Sequence, residues 1–401
     1  MRFLFTTTSG LGHFHPLVPL ARDLVGAGHD VAFACPESLH ARVKATGFDS
    51  HIVVPSMNPD PERIALMSRF TTLPPGREAN LVMLADGFVG ISARRTLPNL
   101  VELCGAWRPD VIVREDYEFA GAIAADHLGL PHAVVQVGYA FDWRRLQGTP
   151  VQERLDQLRA EWGLPPDPTL DRLFPHLLLS FDPPSFVEPG VMPATAHHLR
   201  LSPFDRSVAE ATLPEWIARA ERPLIYATLG TEAARMPGIF PDAYLTILES
   251  IREEPVTLIM TIGNSHDPAL LGPQPPHIHI ERYIPQSLLF PRVDLIITHG
   301  GHNTILAGLS AGLPMVVVPL FADQMDNAAR CAALEAGRRL PAGEMTPDNL
   351  REAMRMVLGD RRYALNAKRL QKEMNALPGL DYGRHLLERL AFERVPLPAS
   401  A

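Results

Sequence analysis

The stretch Thr298-His-Gly-Gly-His-Asn-Thr-Ile-Leu-Ala-Gly-Leu-Ser-Ala-Gly-Leu-Pro-Met-Val-Val-Val-Pro-Leu-Phe-Ala-Asp-Gln-Met-Asp-Asn327 decides how the chain is read. Asp294 to Thr298 is an apolar run that reads as a buried strand, Gly300 and Gly301 free the backbone, and Asn303 to Ala311 has helical spacing. Strand, glycine turn and helix in that order aim backbone N–H groups and a positive dipole end at one point, which suits phosphate. No Lys follows the glycines, so this is not the nucleoside-triphosphate loop. His299 and Thr304 are the polar side chains left to touch an anion.

A second strand, Met315 to Val318, empties into Pro319 to Gln324 before a helix near Met325. Ligands of open α/β sheets sit beyond the carboxyl ends of the strands, so Asp323 and Gln324 fall beside the phosphate site. An acid next to an amide suits a pair of hydroxyls. Phosphate beside a polyol reads as a nucleotide-sugar.

The order Tyr283-Ile-Pro-Gln286, His299-Gly-Gly-His-Asn-Thr304, Asp323-Gln324 and Asn327 resembles the donor-binding signature of the inverting, nucleotide-sugar-dependent glycosyltransferases of family 1. The nearest look is to bacterial members that act on natural products, macrolide types included. The resemblance implies the GT-B fold: two doubly wound, Rossmann-like α/β domains facing across a cleft. It implies that Tyr283, Ile284 and Gln286 hold the base of a UDP- or dTDP-sugar, although most relatives carry Trp at the Tyr283 position. Uracil and thymine are not told apart.

Composition fits. The chain has 401 residues, more than one core usually supports, and 46% are apolar. A net charge of −8 leaves no basic footprint for nucleic acid. Cys35, Cys104 and Cys331 are odd in number and far apart, which argues against disulfides and for a reducing, cytoplasmic setting. No leader and no run of about 18 apolar residues is found, so no membrane span is expected.

Arg2 to Thr7 reads as the first strand and Pro16 to Ala27 as a helix, with Thr8-Ser-Gly-Leu-Gly-His-Phe-His-Pro16 between them. This is not a dinucleotide fingerprint: His15 fills the third small position, and Cys35-Pro-Glu37 stands where a ribose-binding acid belongs. His13 on this turn is a candidate general base, against a packing or capping role, and His15 is second choice. The Gly-x-Gly-His-x-x-Pro layout resembles the family's catalytic loop, with Gly12 near the donor. Pro109-Asp-Val-Ile-Val-Arg-Glu-Asp116 is a strand with an acidic exit, and Glu115 and Asp116 compete to orient the imidazole. The family pattern favours Glu115, where many members carry Asp.

Acceptor contacts are expected from the irregular stretch Pro55 to Arg77 and the long helix Glu78 to Cys104, in Met57, Met67, Phe70 and Phe88. Tyr139, Phe141 and Trp143, in the loop after strand His132 to Val137, are the aromatic candidates for stacking on a small, largely apolar acceptor.

The pattern restarts at Pro223 to Leu229, and Gly230 and Thr231 become further phosphate contacts. The domains expected are 1–205 for the acceptor, a linker at 206–222, and 223–378 for the donor. Residues 379–401 form a last helix that by resemblance returns to the first domain. The expected reaction is an inverting transfer with no cofactor beyond the nucleotide-sugar. No Asp-x-Asp pair or His/Cys cluster lies near the phosphate site, so metal independence is expected. A monomer or homodimer is expected. The rival readings are a sugar-nucleotide epimerase, a dehydrogenase and a catalytically silent helper protein.

Overall fold

The computed structural model describes residues 1–74, 76–204, 212–230, 236 and 238–399. Two compact units emerge, one of Met1–Ser207 with Leu377–Ala401 and one of Val208–Ala376.

The first unit holds β1 (Arg2–Thr6), β2 (Asp30–Pro36), β3 (Asp49–Val54), β4 (Val111–Glu115), β5 (His132–Val135), β6 (Leu177–Ser180) and β7 (Ala196–His198). Their order is β3-β2-β1-β4-β5-β6-β7, all parallel. The central strands are continuous apolar runs, as parallel strands covered on both faces must be: Phe3, Leu4, Phe5, Ile112 and Val113 are all fully buried. The second unit holds β8 (Leu224–Thr228), β9 (Thr257–Thr261), β10 (Ile278–Glu281), β11 (Leu295–Thr298), β12 (Met315–Val317) and β13 (Gly337–Arg339). Its order, β10-β9-β8-β11-β12-β13, repeats the first layout. In each sheet the strand order reverses beside the first strand, between β1 and β4 and between β8 and β11. That is where a doubly wound sheet opens a crevice.

Several elements differ from the sequence reading. Helix Pro61–Phe70 stands inside the stretch read as irregular; Pro61 opens it and the Asp60 side chain accepts from the Arg63 N–H, which together start a helix despite the lack of clean apolar periodicity. The single long helix expected over 78–104 is three segments: helix Arg77–Val82, a π-wound Met83–Ala93 holding Gly87 and Gly90, and helix Arg94–Trp107. β6 and β7 lie within the proline-studded stretch, too short for periodicity to reveal. The glycine-loop helix runs His302–Ser310, opening one residue before Asn303.

Helix Leu380–Glu393 packs on helix Leu17–Gly26 within the first unit. Arg384 pairs with Asp23 at 2.8 Å and Glu388 with His29 at 2.9 Å. Gly383 allows the close approach, since a Cβ there would lie 2.8 Å from Leu199 Cδ1. The three cysteines are free and buried. Among the described residues no helix is long and apolar enough to cross a membrane.

Candidate functional site

In the first unit the loops after β1 and β4 meet. Gly10 lets the chain turn into the short helix Leu11–Phe14, which carries His13, and the Gly10 carbonyl accepts from the N–H groups of His13 and Phe14 at 3.1 Å. A Cβ on Gly10 would lie 2.7 Å from His13 Cδ2, so a larger residue there would have to displace the ring. His13 Nδ1 lies 3.1 Å from Oε1 of Glu115, whose side chain is wholly buried while that of His13 stays 25% exposed. The same oxygen accepts from the Thr8 hydroxyl at 2.7 Å and the Thr8 N–H at 3.2 Å, and Oε2 accepts from the Tyr117 N–H at 2.7 Å. Burial pushes the Glu115 carboxyl up. The His13 charge and contact, with the Thr8 and Tyr117 donors, outweigh burial and hold it below the usual range. An ionised acid at Nδ1 puts the ring proton there and the lone pair on Nε2.

Asp116 does not share this role. Its Oδ1 accepts the Val137 N–H at 3.0 Å, and burial, then the charge of Glu115, pushes its carboxyl up to about 7. Of the two acids it is Glu115, the last residue of β4, that contacts His13, while Asp116 lies one residue beyond the strand with its Oδ1 taken by the Val137 N–H.

Aromatic rings surround the imidazole. Phe88 on the π-wound segment and Tyr117 have their centroids 5.9 and 5.6 Å from that of His13. Tyr117 continues to Trp143 at 5.9 Å, and Trp143 to Phe141 at 4.3 Å. Two narrow pockets follow this wall. One is lined by Thr8, Phe88, Arg95 and Tyr117 among others, the second by Asp116, Gln136, Tyr139, Phe141 and Trp143 among others. Met57 and Met67 are exposed, and with Phe70 they line neither pocket. Tyr117 and Thr8 were not anticipated from the sequence; their proximity to Glu115 and His13 was the available signal.

In the second unit β11 ends at His299-Gly300-Gly301 and helix His302–Ser310 begins, with no side chain capping it and no acid in its first turn. Gly300 has φ +89°, and a Cβ there would lie 2.7 Å from Val317 Cγ1. His299 packs between glycines: a Cβ on Gly230 or on Gly301 would lie 2.6 Å from its Nε2. The ring keeps some surface access yet is enclosed on most sides, and burial pushes it down to about 4 against the opposing bond with Thr228. It is a neutral donor at pH 7. Gln286 Nε2 lies 3.4 Å from Thr304 Oγ1 and 3.5 Å from the Tyr226 hydroxyl, which joins the segment after β10 to the glycine loop. Ile284 is buried, and Tyr283 is 44% exposed.

Asp323 caps helix Gln324–Ala333 by position. Gln324 Oε1 accepts from the N–H groups of Leu320 and Phe321 at 2.9 and 3.0 Å, so its carbonyl shapes the loop. Asp323 and Gln324 thus stand side by side at the start of this helix, as the sequence placed them. Asn327 is the hub, donating to the Gly300 carbonyl at 3.0 Å and to Asp323 Oδ2 at 3.2 Å while its Oδ1 lies 3.2 Å from His302 Nδ1. Thr231 lies outside the described residues. Among the described residues no group of three or more His, Cys, Asp or Glu side chains converges as metal ligands.

Residues 215–378 match the family described as UDP-glucoronosyl and UDP-glucosyl transferase, and residues 23–177 match the N-terminal domain of the erythromycin biosynthesis protein CIII-like proteins. The chain is 27% identical to NDP-glycosyltransferase YjiC of Bacillus subtilis (strain 168), over 92% of this chain and 92% of that protein. It is 28% identical to 10-deoxymethynolide desosaminyltransferase of Streptomyces venezuelae, over 100% of both. Among solved structures, glycosyltransferase SnogD from Streptomyces nogalater superposes with a TM-score of 0.79 at 27% identity, covering 98% of this chain and 99% of that one. Glycosyltransferase VinC, solved with DTDP, shares the fold with a TM-score of 0.79 at 24% identity, over 98% and 100%.

Proposed function

We propose that the chain is a nucleotide-sugar glycosyltransferase of the GT-B fold that performs an inverting, metal-independent transfer from a UDP- or dTDP-sugar to a hydroxyl of a small, largely apolar natural product, a reading supported by the two family matches. The observation that carries the mechanism is the His13 imidazole held 3.1 Å from the buried carboxylate of Glu115. His13 Nε2 takes the proton of the acceptor hydroxyl, and that oxygen attacks the anomeric carbon. The bond to the diphosphate breaks on the opposite side and configuration inverts. Charge growing on the diphosphate is met by the N–H groups opening helix His302–Ser310, by neutral His299 and by the Thr304 hydroxyl. Tyr283 stacks on the base, Gln286 reads its edge, and Asp323 accepts from sugar hydroxyls. The aromatic run Phe88, Tyr117, Trp143 and Phe141 supports an apolar acceptor face. A relative named 10-deoxymethynolide desosaminyltransferase supports a natural-product acceptor.

The test has two parts. UDP and dTDP should each be tried for raising the melting temperature, with EDTA present, and at least one should do so. Transfer from the matching sugar donor to a panel of macrolide and polyketide aglycones should then fall by about 10²–10⁴ in His13→Ala while diphosphate binding is kept. Transfer that needs added magnesium, or that survives in His13→Ala, would overturn the mechanism.

A further inference from the structure

We infer that Arg114 is a positioning residue for the base: its guanidinium gathers the carbonyls of the loop after β4 so that Glu115 stays against His13 Nδ1. This rests on the reading of His13 as base and Glu115 as its orienter. Arg114 is wholly buried, on the strand that ends in Glu115. Its Nη1 donates to the carbonyls of Glu115 at 3.1 Å, Asp116 at 3.3 Å and Glu118 at 3.2 Å, and its Nη2 donates to that of Leu173. The loop is thus wound around a single cation, which is anchored from outside by Leu173 and lies 5.6 Å over the Phe174 ring. A planar fork of donors can do this; an ammonium on a flexible stem cannot reach both sets.

Stability alone does not account for the residue. Arg114 Nε is buried without a partner, and a buried cation with an unmet donor is more costly than an apolar side chain of the same volume. What the cation secures is loop geometry. The charged and titratable groups facing it are Glu115, Asp116 and Glu118 from the same exit and His132 from β5. His176 lies beside His132, and Cys104 faces Glu118. Burial, then the Arg114 charge, holds His132 well below its ordinary value, so the carboxylates alone balance the guanidinium.

The readout is the tautomer of His13, which ¹⁵N shifts of the ring nitrogens report without any substrate. The His13 signals are assigned as those lost in His13→Ala. At a pH where the ring is neutral, the wild type should hold the proton on Nδ1, and Glu115→Gln should lose that bias. Arg114→Lys keeps the charge and removes the fork, so it should shift toward the Glu115→Gln pattern with native near-UV circular dichroism. A folded Arg114→Lys with wild-type ring shifts overturns the inference, as does a Glu115→Gln variant that matches wild type. Should Arg114→Lys not fold, the wild type still decides: restrained Nη protons give separate, slowly exchanging signals, and one averaged Arg114 signal overturns it. Transfer that survives in His13→Ala would sink the catalytic reading while leaving the tautomer result in place.

Discussion

Glu115 and Asp116 are neighbours of the same charge type with opposite fates, and the difference is testable. Glu115 is kept ionised by His13, Thr8 and Tyr117, whereas burial and the Glu115 charge carry Asp116 from 3.8 up to about 7. The folded chain therefore holds the Asp116 proton where the unfolded chain has released it. That contribution to stability is complete below pH 3.8 and is lost as pH rises through about 7. Asp116→Asn keeps an oxygen for the Val137 N–H and removes the loss. Its melting temperature relative to wild type should climb between about pH 4 and 7 and level off above; a constant difference would show Asp116 ionised throughout. His299, pushed down to about 4, gives the complementary expectation. Diphosphate binding should show no step from its titration between pH 5 and 8, and His299→Ala should lose about tenfold in affinity, the worth of one hydrogen bond to a charged group. Isothermal titration at several pH values checks both.

The turn from β11 into helix His302–Ser310 depends on backbone freedom that the sequence announces and on a clip that it does not. Gly300→Ala would place a Cβ 2.7 Å from Val317 Cγ1 at φ +89°, which should cost about 1–3 kcal/mol of stability and weaken diphosphate binding. Unchanged urea midpoint and affinity would show that the turn tolerates a side chain. Asn327 ties Gly300, Asp323 and His302 across two elements. Asn327→Ala leaves the Gly300 carbonyl unmet and should cost about 1–3 kcal/mol, read as a lower urea midpoint. The π-wound segment Met83–Ala93 shows the opposite case: its composition reads as ordinary helix, and only the packing of Phe88 beside His13 shows what the altered winding presents.

The last residues of the chain belong with the first unit. Leu386, Leu387 and Leu390 are buried, and each is worth about 1.5–3 kcal/mol when removed from water. Three such losses, with the Arg384 and Glu388 ion pairs, approach the whole stability of a domain. A chain ending at residue 376 should lose the cooperative melting of the first unit, while residues 208–376 made alone should melt cooperatively. Retention of the full transition by the shortened chain would show that helix Leu380–Glu393 is dispensable.

The alternation of apolar runs with helical spacing, and the glycines after Thr6 and Thr298, determined in the sequence alone that two parallel, doubly wound sheets would form, because period and turn chemistry are local properties. That His13 and His299 sit on loops following β1 and β11 was legible for the same reason, whereas the roles proposed for them came from the resemblance. Which acid meets His13 was not legible, since it depends on the pairing of β1 with β4 and on a guanidinium beneath the loop. Nor could local pattern reveal that Gln324 spends its oxygen on its own loop, or that Asn327 ties the glycine turn to the start of its own helix. The His13–Glu115 contact and the bonds of Asn327 to Gly300 and His302 link residues distant in sequence, and the Gln324 bonds depend on the exact loop conformation, so only the folded chain brings these groups within hydrogen-bonding reach.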